Sequence, residues 1–290
     1  MPDKLILVCG ATGRQGGAVV RALLRDKWQV RGLTRDPSRP QARQLQHMGI
    51  EVIRGNMGDR DDLEACMDGC YGVFSVQDFW EAGADEEIRQ GCLVAAVAKD
   101  LGVEHLVYSS VGGADRGSGI PHFESKWEVE QYIADLRIDA TILRPTFFYD
   151  NFTASPMREG IVNGVLAMPM QPDKTLQMIA TDDIGAFAAL ALGRPEQFKN
   201  KALELAGDEP TMPRVAQLLS EVLQRPVRYQ QIDIDELAKT NPEYAVMFEW
   251  FNESGYAANI QALRELYPSL QDLRTWLHQS SIVPRLTQAA

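Results

Sequence analysis

Gly10-Ala11-Thr12-Gly13-Arg14-Gln15-Gly16 decides how this chain is read. It follows the apolar run Leu5-Ile6-Leu7-Val8-Cys9. It opens into Ala18-Val19-Val20-Arg21-Ala22-Leu23-Leu24, whose apolar residues recur at helical spacing. Strand, glycine turn and helix in that order are the context in which G-x-x-G-x-x-G binds a dinucleotide. Each glycine has its own reason. Gly10 supplies the tight turn, Gly13 removes a side chain where backbone must approach a pyrophosphate, and Gly16 lets the helix sit close to the strand. The free N–H groups and the dipole at the helix N-terminus then favour the phosphates. A glycine triplet alone also closes ordinary loops; the flanking strand and helix turn the reading to nucleotide binding.

The next strand, Gln29-Val30-Arg31-Gly32-Leu33-Thr34-Arg35, bears on which nucleotide. A fold selective for NAD places an acid at this strand's tip, on the ribose 2′-hydroxyl. Here the tip is Thr34-Arg35, and Asp36 comes one residue later, in an Asp36-Pro37 turn. Arg35 can fork onto a 2′-phosphate, with Arg14 and Arg39 close by. The alternative is that these are solvated surface arginines. Three cations around one site of an acidic chain favour NADP(H) over NAD(H).

The chain has 290 residues and a net charge of −11. That length allows one large or two modest domains with a sizeable core. The acidic balance argues against a nucleic-acid partner, which needs a basic face. No apolar run approaches the roughly 20 residues that span a bilayer, and no signal peptide is visible before the first strand. Cys9, Cys66, Cys70 and Cys92 show neither a disulfide framework nor zinc spacing, so reduced, structural thiols and a cytoplasmic protein without a metal are expected.

Strand and helix signals alternate to about residue 145. Further strands are read at Glu51–Arg54, Gly72–Val76, His105–Ser109 and Ala140–Arg144, and helices start at Asp61, Glu86 and Phe123. In the Glu86 helix, Ile88, Cys92, Val94, Ala95 and Ala98 read as the inward face. This pattern specifies an α/β fold, a doubly wound parallel sheet whose ligands bind at the carboxyl ends of its strands. The expected division is a dinucleotide-binding domain over 1–151 and a smaller, irregular α+β region over 152–290, packed on the same sheet. Within the latter, Val165–Met168, Leu176–Ile179, Ala202–Leu205 and Val227–Gln230 read as extended. Thr181-Asp182-Asp183 caps one helix and Pro213–Leu223 forms another. The aromatic group Tyr244, Phe248, Trp250, Phe251 and Tyr256 reads as core.

Gly-Ala-Thr-Gly-Arg-Gln-Gly-Gly, Thr34-Arg35-Asp36-Pro37, Phe79-Trp80-Glu81, His122-Phe123-Glu124-Ser125-Lys126 and Glu128-Val129-Glu130 occur here in the order they have in NmrA-like proteins, atypical members of the short-chain dehydrogenase/reductase superfamily. The resemblance covers most of the chain and is densest before residue 152. It implies a Rossmann domain that binds NADP(H), and sensing of the NADPH/NADP+ ratio rather than turnover. By the same resemblance, Gly10, Ala11, Thr12, Gly13, Arg14 and Gln15 would hold the pyrophosphate. Thr34, Arg35 and Arg39 would hold the 2′-phosphate end. Asn56, where many relatives carry Asp, and Met57 would flank the adenine. Gln77, Asp78 and Phe79 would line the ribose side. Lys126 would reach the nicotinamide ribose, and Phe148, Tyr149, Asp150 and Asn151 would close over the nicotinamide.

Working dehydrogenases of this superfamily use Tyr-x-x-x-Lys with a Ser. Here Lys126 is preceded at four residues by His122, on the same face if both are helical. His122 reads either as a proton shuttle or as a loop histidine after Pro121. Ser109 and Ser110 stand near the usual serine's place or cap the turn at Gly112-Gly113. Two classes stay open. One is a regulatory protein whose partner reads its cofactor state; the other is an NADPH-dependent reductase of a quinone-like or other carbonyl substrate.

Overall fold

The computed structural model describes residues 4–279 and Leu286. From the N-terminus the order is β1 (Leu5–Val8), α1 (Arg14–Arg25), β2 (Gln29–Thr34), α2 (Pro40–His47), β3 (Glu51–Arg54), α3 (Arg60–Met67), β4 (Gly72–Ser75), α4 (Phe79–Ala82), α5 (Ala84–Asp100), β5 (His105–Ser109), α6 (Pro121–Leu136) and β6 (Ala140–Pro145). Then come β7 (Phe147–Phe148), α7 (Met157–Val162), β8 (Val165–Met168), β9 (Met178–Ile179), α8 (Thr181–Gly193), α9 (Pro195–Phe198) and β10 (Lys201–Leu205). The chain continues through α10 (Met212–Leu223), β11 (Arg228–Gln231), α11 (Ile234–Thr240), α12 (Pro242–Glu253), α13 (Ile260–Leu266) and α14 (Leu273–Gln279).

The main sheet has the order β10-β6-β5-β4-β1-β2-β3, and the pairs from β3 to β6 are parallel. Chain order reverses between β1 and β4, so the switch point of a doubly wound sheet lies beside the glycine turn. Alternation in the buried strands divides the core. Leu7, Cys9, Val73, Leu106 and Tyr108 join Val94, Ala98, Val129 and Ile133 of α5 and α6 in one apolar layer.

The chain divides into two compact units, and neither is continuous in sequence. The first contains residues up to Gly117, Pro121–Arg144 and Thr181–Leu203. Where the sequence pattern suggests a single cut after residue 151, α8 returns to the first unit. The reason is packing: α8 is buried nearly all round, and a Cβ on Gly185 would stand 2.5 Å from the backbone of Ala18 in α1. Only glycine permits that approach.

The second unit, Ser118–Ile120, Pro145–Ala180 and the chain from Glu204, holds two short parallel pairs, β7 with β9 and β8 with β11. Buried amides tie its loops. Asn252 Nδ2 donates to the carbonyls of Pro169 and Phe248 at 2.9 and 2.8 Å, while its Oδ1 accepts from Gln171 N at 2.7 Å. Phe248, Trp250 and Phe251 are buried, as their reading as core requires.

His105 sits fully buried in β5. Thr141 Oγ1 donates to Phe198 O at 2.9 Å and lies 2.8 Å from His105 Nε2, so Nε2 carries the proton. Burial, then the charge of Lys199, pushes this imidazole down to about 4, against the opposing effect of Asp139. The unfolded chain therefore binds a proton near pH 6.5 that the fold excludes until about pH 4. Stability is complete above pH 6.5 and falls as pH drops through this window, by about 3 kcal/mol for such a gap. We expect His105→Gln to flatten the pH dependence of urea unfolding between pH 6.5 and 4. An unchanged slope would show that the imidazole is not the group responsible.

Candidate functional site

The glycine turn follows β1 at the switch point. Gly10 has a φ of 64°, a left-handed conformation that suits glycine, and Gly13 N donates to Gly10 O at 2.9 Å. A Cβ on Gly16 would lie 2.1 Å from Gly10 O, so α1 starts directly on the backbone of the turn. Gly13 is the N-cap of α1 and has no side chain to cap it. The N–H groups of Arg14, Gln15 and Gly16 thus have no acceptor within the helix, and Gly13 and Arg14 are exposed. This is an anion-binding cradle. Ala11 is buried beneath it, Thr12 is half-buried, and Gln15 Oε1 accepts from Ser109 Oγ at 2.7 Å, tying the turn to the end of β5.

At the end of β2, Thr34 is buried and Arg35 and Arg39 are exposed. Asp36 is occupied locally: its Oδ1 accepts from Ser38 N at 2.9 Å and Ser38 Oγ at 2.6 Å, which holds its carboxyl below the usual range. The acid one residue beyond the strand tip is therefore a turn residue. Arg35 Nη2 meets Glu81 Oε1 of α4 at 2.6 Å. After β3, exposed Asn56 receives Gly58 N on Oδ1 at 3.0 Å, and Met57 is half-buried. After β4, Gln77 Nε2 donates to Ser75 Oγ at 2.9 Å, while its buried Oε1 has no partner among the described residues. Asp78 caps α4 by accepting from Trp80 N at 3.0 Å. Half-buried Phe79, exposed Trp80 and His122 form a ring cluster with centroids 5.2–5.5 Å apart.

Pro121 begins α6, so His122 lies in the first turn of a helix rather than in a loop, one turn before Lys126. Lys126 Nζ donates to Glu87 Oε1 at 2.7 Å and Ser125 Oγ to Glu87 Oε2 at 2.5 Å. Glu87 is wholly buried on α5, whereas the lysine side chain keeps 12% exposure. Ser110 Oγ donates to Glu130, which also takes Arg144 Nη2 at 2.6 Å. The serine hydroxyls after β5 thus reach Gln15 and Glu130 rather than the Gly112-Gly113 turn. Tyr108 points into the α5–α6 layer. Its hydroxyl is buried without a partner among the described residues, and burial, with Glu87 and Glu130 nearby, raises its pKa well above 10.

In the second unit, Tyr149 is buried. Its hydroxyl donates to Gln271 O at 3.3 Å and its ring lies 5.4 Å from that of Trp276. Phe148, Asp150 and Asn151 around it are half-buried. The four cysteines are free, and burial raises their thiols, those of Cys70 and Cys92 to about 11. Among the described residues no group of three or more His, Cys, Asp or Glu is placed to hold a metal, and no helix is long and apolar enough to cross a membrane.

Sequence reasoning missed Glu87. The buried stripe of α5 runs Glu87, Gly91, Val94, Ala98 rather than through Ile88 and Cys92, which are only half-buried. Its signal was a carboxylate in register with Gly91, whose added Cβ would stand 2.8 Å from Val129.

A parallel sheet in this order, with an uncapped helix N-terminus on a glycine turn at its switch point, defines a Rossmann-type α/β protein. The chain belongs to the NmrA-like family, whose model matches residues 2–277. It is 30% identical over 87% of its length to an NmrA-like family domain-containing protein of Dictyostelium discoideum, covering 89% of that relative. It is also 30% identical over 80% of its length to an NAD(P)H azoreductase of Xenophilus azovorans, covering 78% of it. Among solved structures, NmrA, a negative transcriptional regulator in complex with NAD, superposes with a TM-score of 0.84 at 20% identity, covering 98% of this chain and 97% of NmrA.

Removing one partner of a buried pair strands the other charge. Lys126→Met should therefore destabilise the fold by about 3 kcal/mol or more, and adding Glu87→Gln should recover much of that loss. Urea unfolding of the single and double variants measures it. Additive effects would show that the two side chains are not coupled.

Proposed function

We propose that this chain binds NADP(H) at the carboxyl edge of its parallel sheet and reports the cofactor's state, with little turnover of simple carbonyl compounds. The observation that carries this reading is the uncapped start of α1 on the Gly10–Gly13 turn, with Arg35 rather than an acid beside it. The residues present fit the group. Gly13 leaves open the cradle that a side chain would narrow, and three N–H groups at the start of α1 lack acceptors within the helix. Gly10 to Gln15 would hold the pyrophosphate and Arg35 with Arg39 the 2′-phosphate. Asn56 and Met57 would flank the adenine, and Gln77, Asp78 and Phe79 the ribose. Lys126, held by Glu87, would reach the nicotinamide ribose.

NADPH, when bound, supplies a hydride. The chain's own contribution to proton transfer is weak. The position one turn before Lys126 is His122, and Tyr108, the phenol on β5, is buried towards α5 and α6. This supports a binding and reporting role, and a cytoplasmic setting suits free, protonated thiols. A protein partner would then read the cofactor state.

A second reading, reduction of a planar conjugated acceptor such as a quinone, is favoured by one feature. Trp80, with 58% of its surface exposed, and Phe79 and His122 present aromatic surface at the carboxyl edge. One relative is, by its name, an NAD(P)H azoreductase.

Calorimetric titration tests the cofactor assignment. NADP(H) should bind at least about tenfold tighter than NAD(H), the value of one charge-assisted contact, and Arg35→Ala should remove that preference. Equal affinities in the parent protein would overturn it. NADPH oxidation assayed against ketones and quinones separates the two roles. The reporting role predicts slow rates with both; rapid quinone reduction by the parent protein would establish the reductase instead.

A further inference from the structure

The guanidinium assigned to the 2′-phosphate already has an anionic partner. Arg35 Nη2 lies 2.6 Å from Glu81 Oε1, with both side chains more than half exposed. Arg35 follows β2 and Glu81 lies on α4, just after β4. These strands flank β1 on either side, so the pair bridges the carboxyl edge across the glycine turn. An exposed ion pair contributes little to stability, so little opposes its exchange for a stronger anion. A phosphate offers more charge and three oxygens for the same planar fork.

The element carrying Glu81 is a single turn between two distinct backbone features. Asp78 caps its start, and Gly83 after it has φ 80° and ψ 172°, a conformation open essentially to glycine alone. A Cβ on Gly83 would meet nothing within 4 Å, so backbone conformation rather than crowding accounts for the glycine.

From these observations we infer that Glu81 is a specificity-determining residue that competes with the cofactor's 2′-phosphate for Arg35. The inference rests on the assignment of Arg35 to that phosphate and deepens it. Without the phosphate, Glu81 neutralises Arg35 and holds α4 to the end of β2. The phosphate displaces the carboxylate and then repels it, so α4 is released only by the phosphorylated cofactor. NAD(H), with a hydroxyl in that place, leaves the pair intact. Glu81 therefore narrows the gap between the two cofactors, and it ties the position of α4 to the one group in which they differ.

The test is titration of NADP+ and NAD+ into the full-length protein and into Glu81→Gln, which keeps the shape and removes the charge. NADP+ should bind about three- to tenfold tighter to the variant and NAD+ should change less than twofold. The NADP+ advantage in Glu81→Gln should also shrink as salt rises, because the repulsion removed from the parent protein is itself screened. Unchanged or weaker NADP+ binding in Glu81→Gln, while the parent still prefers NADP+ and loses that preference in Arg35→Ala, would overturn the competition alone. A parent protein with no preference between the cofactors would overturn the assignment of Arg35 and the competition together. Because both side chains are exposed, Glu81→Gln should keep the parent's unfolding midpoint, and Glu81→Ala should reproduce the direction of the affinity change.

Discussion

The contact between Gly16 and the backbone of Gly10 sets the geometry of the functional edge. At 2.1 Å from that carbonyl to a would-be Cβ, no other side chain can stand there, so α1 begins on the turn itself. That placement turns the first N–H groups of α1 outward past an uncapped Gly13. It also brings the face of α1 around Ala18 to where Gly185 of α8 can lie on it. The same turn is secured laterally by Ser109 reaching Gln15 from the end of β5. The start of α1 and its packing on α8 thus depend on the absence of two side chains.

Charge is arranged on two levels around this edge. Glu87 and Glu130 are buried and matched, the first by Lys126 and Ser125, the second by Arg144 and Ser110. Such pairs are weak sources of stability but costly to break, so they fix where Lys126 stands. Arg35 and Glu81, by contrast, are matched at the surface, where exchange with a ligand is easy. Rigid cations thus lie on α6 and β6, and an exchangeable one lies at the end of β2.

Much of the fold was legible because the signals were local. The glycine turn, the parallel strands and even the short strand Val165–Met168 follow from apolar runs and turn residues. What was hidden depended on tertiary neighbours. One residue of helical phase separates Ile88 from Glu87, and only the close packing of Gly91 on Val129 decides which is buried. The direction of Tyr108 could not be read because β5 is buried on both faces and carries no polar alternation. The return of α8 to the first unit depends on Gly185, an interior glycine in an alanine-rich helix that reads simply as helix former. Asp36 illustrates the opposite case. Its place just past the strand tip was visible, but only the Ser38 contacts show that its carboxylate is spent in the turn.

Backbone amide shifts of Arg14, Gln15 and Gly16, followed by nuclear magnetic resonance during titration with NADPH, probe the anion cradle directly. We expect these three amides to move downfield together and to exchange more slowly with solvent as the site fills. Saturable NADPH binding that leaves all three unmoved would contradict a pyrophosphate seat at the start of α1.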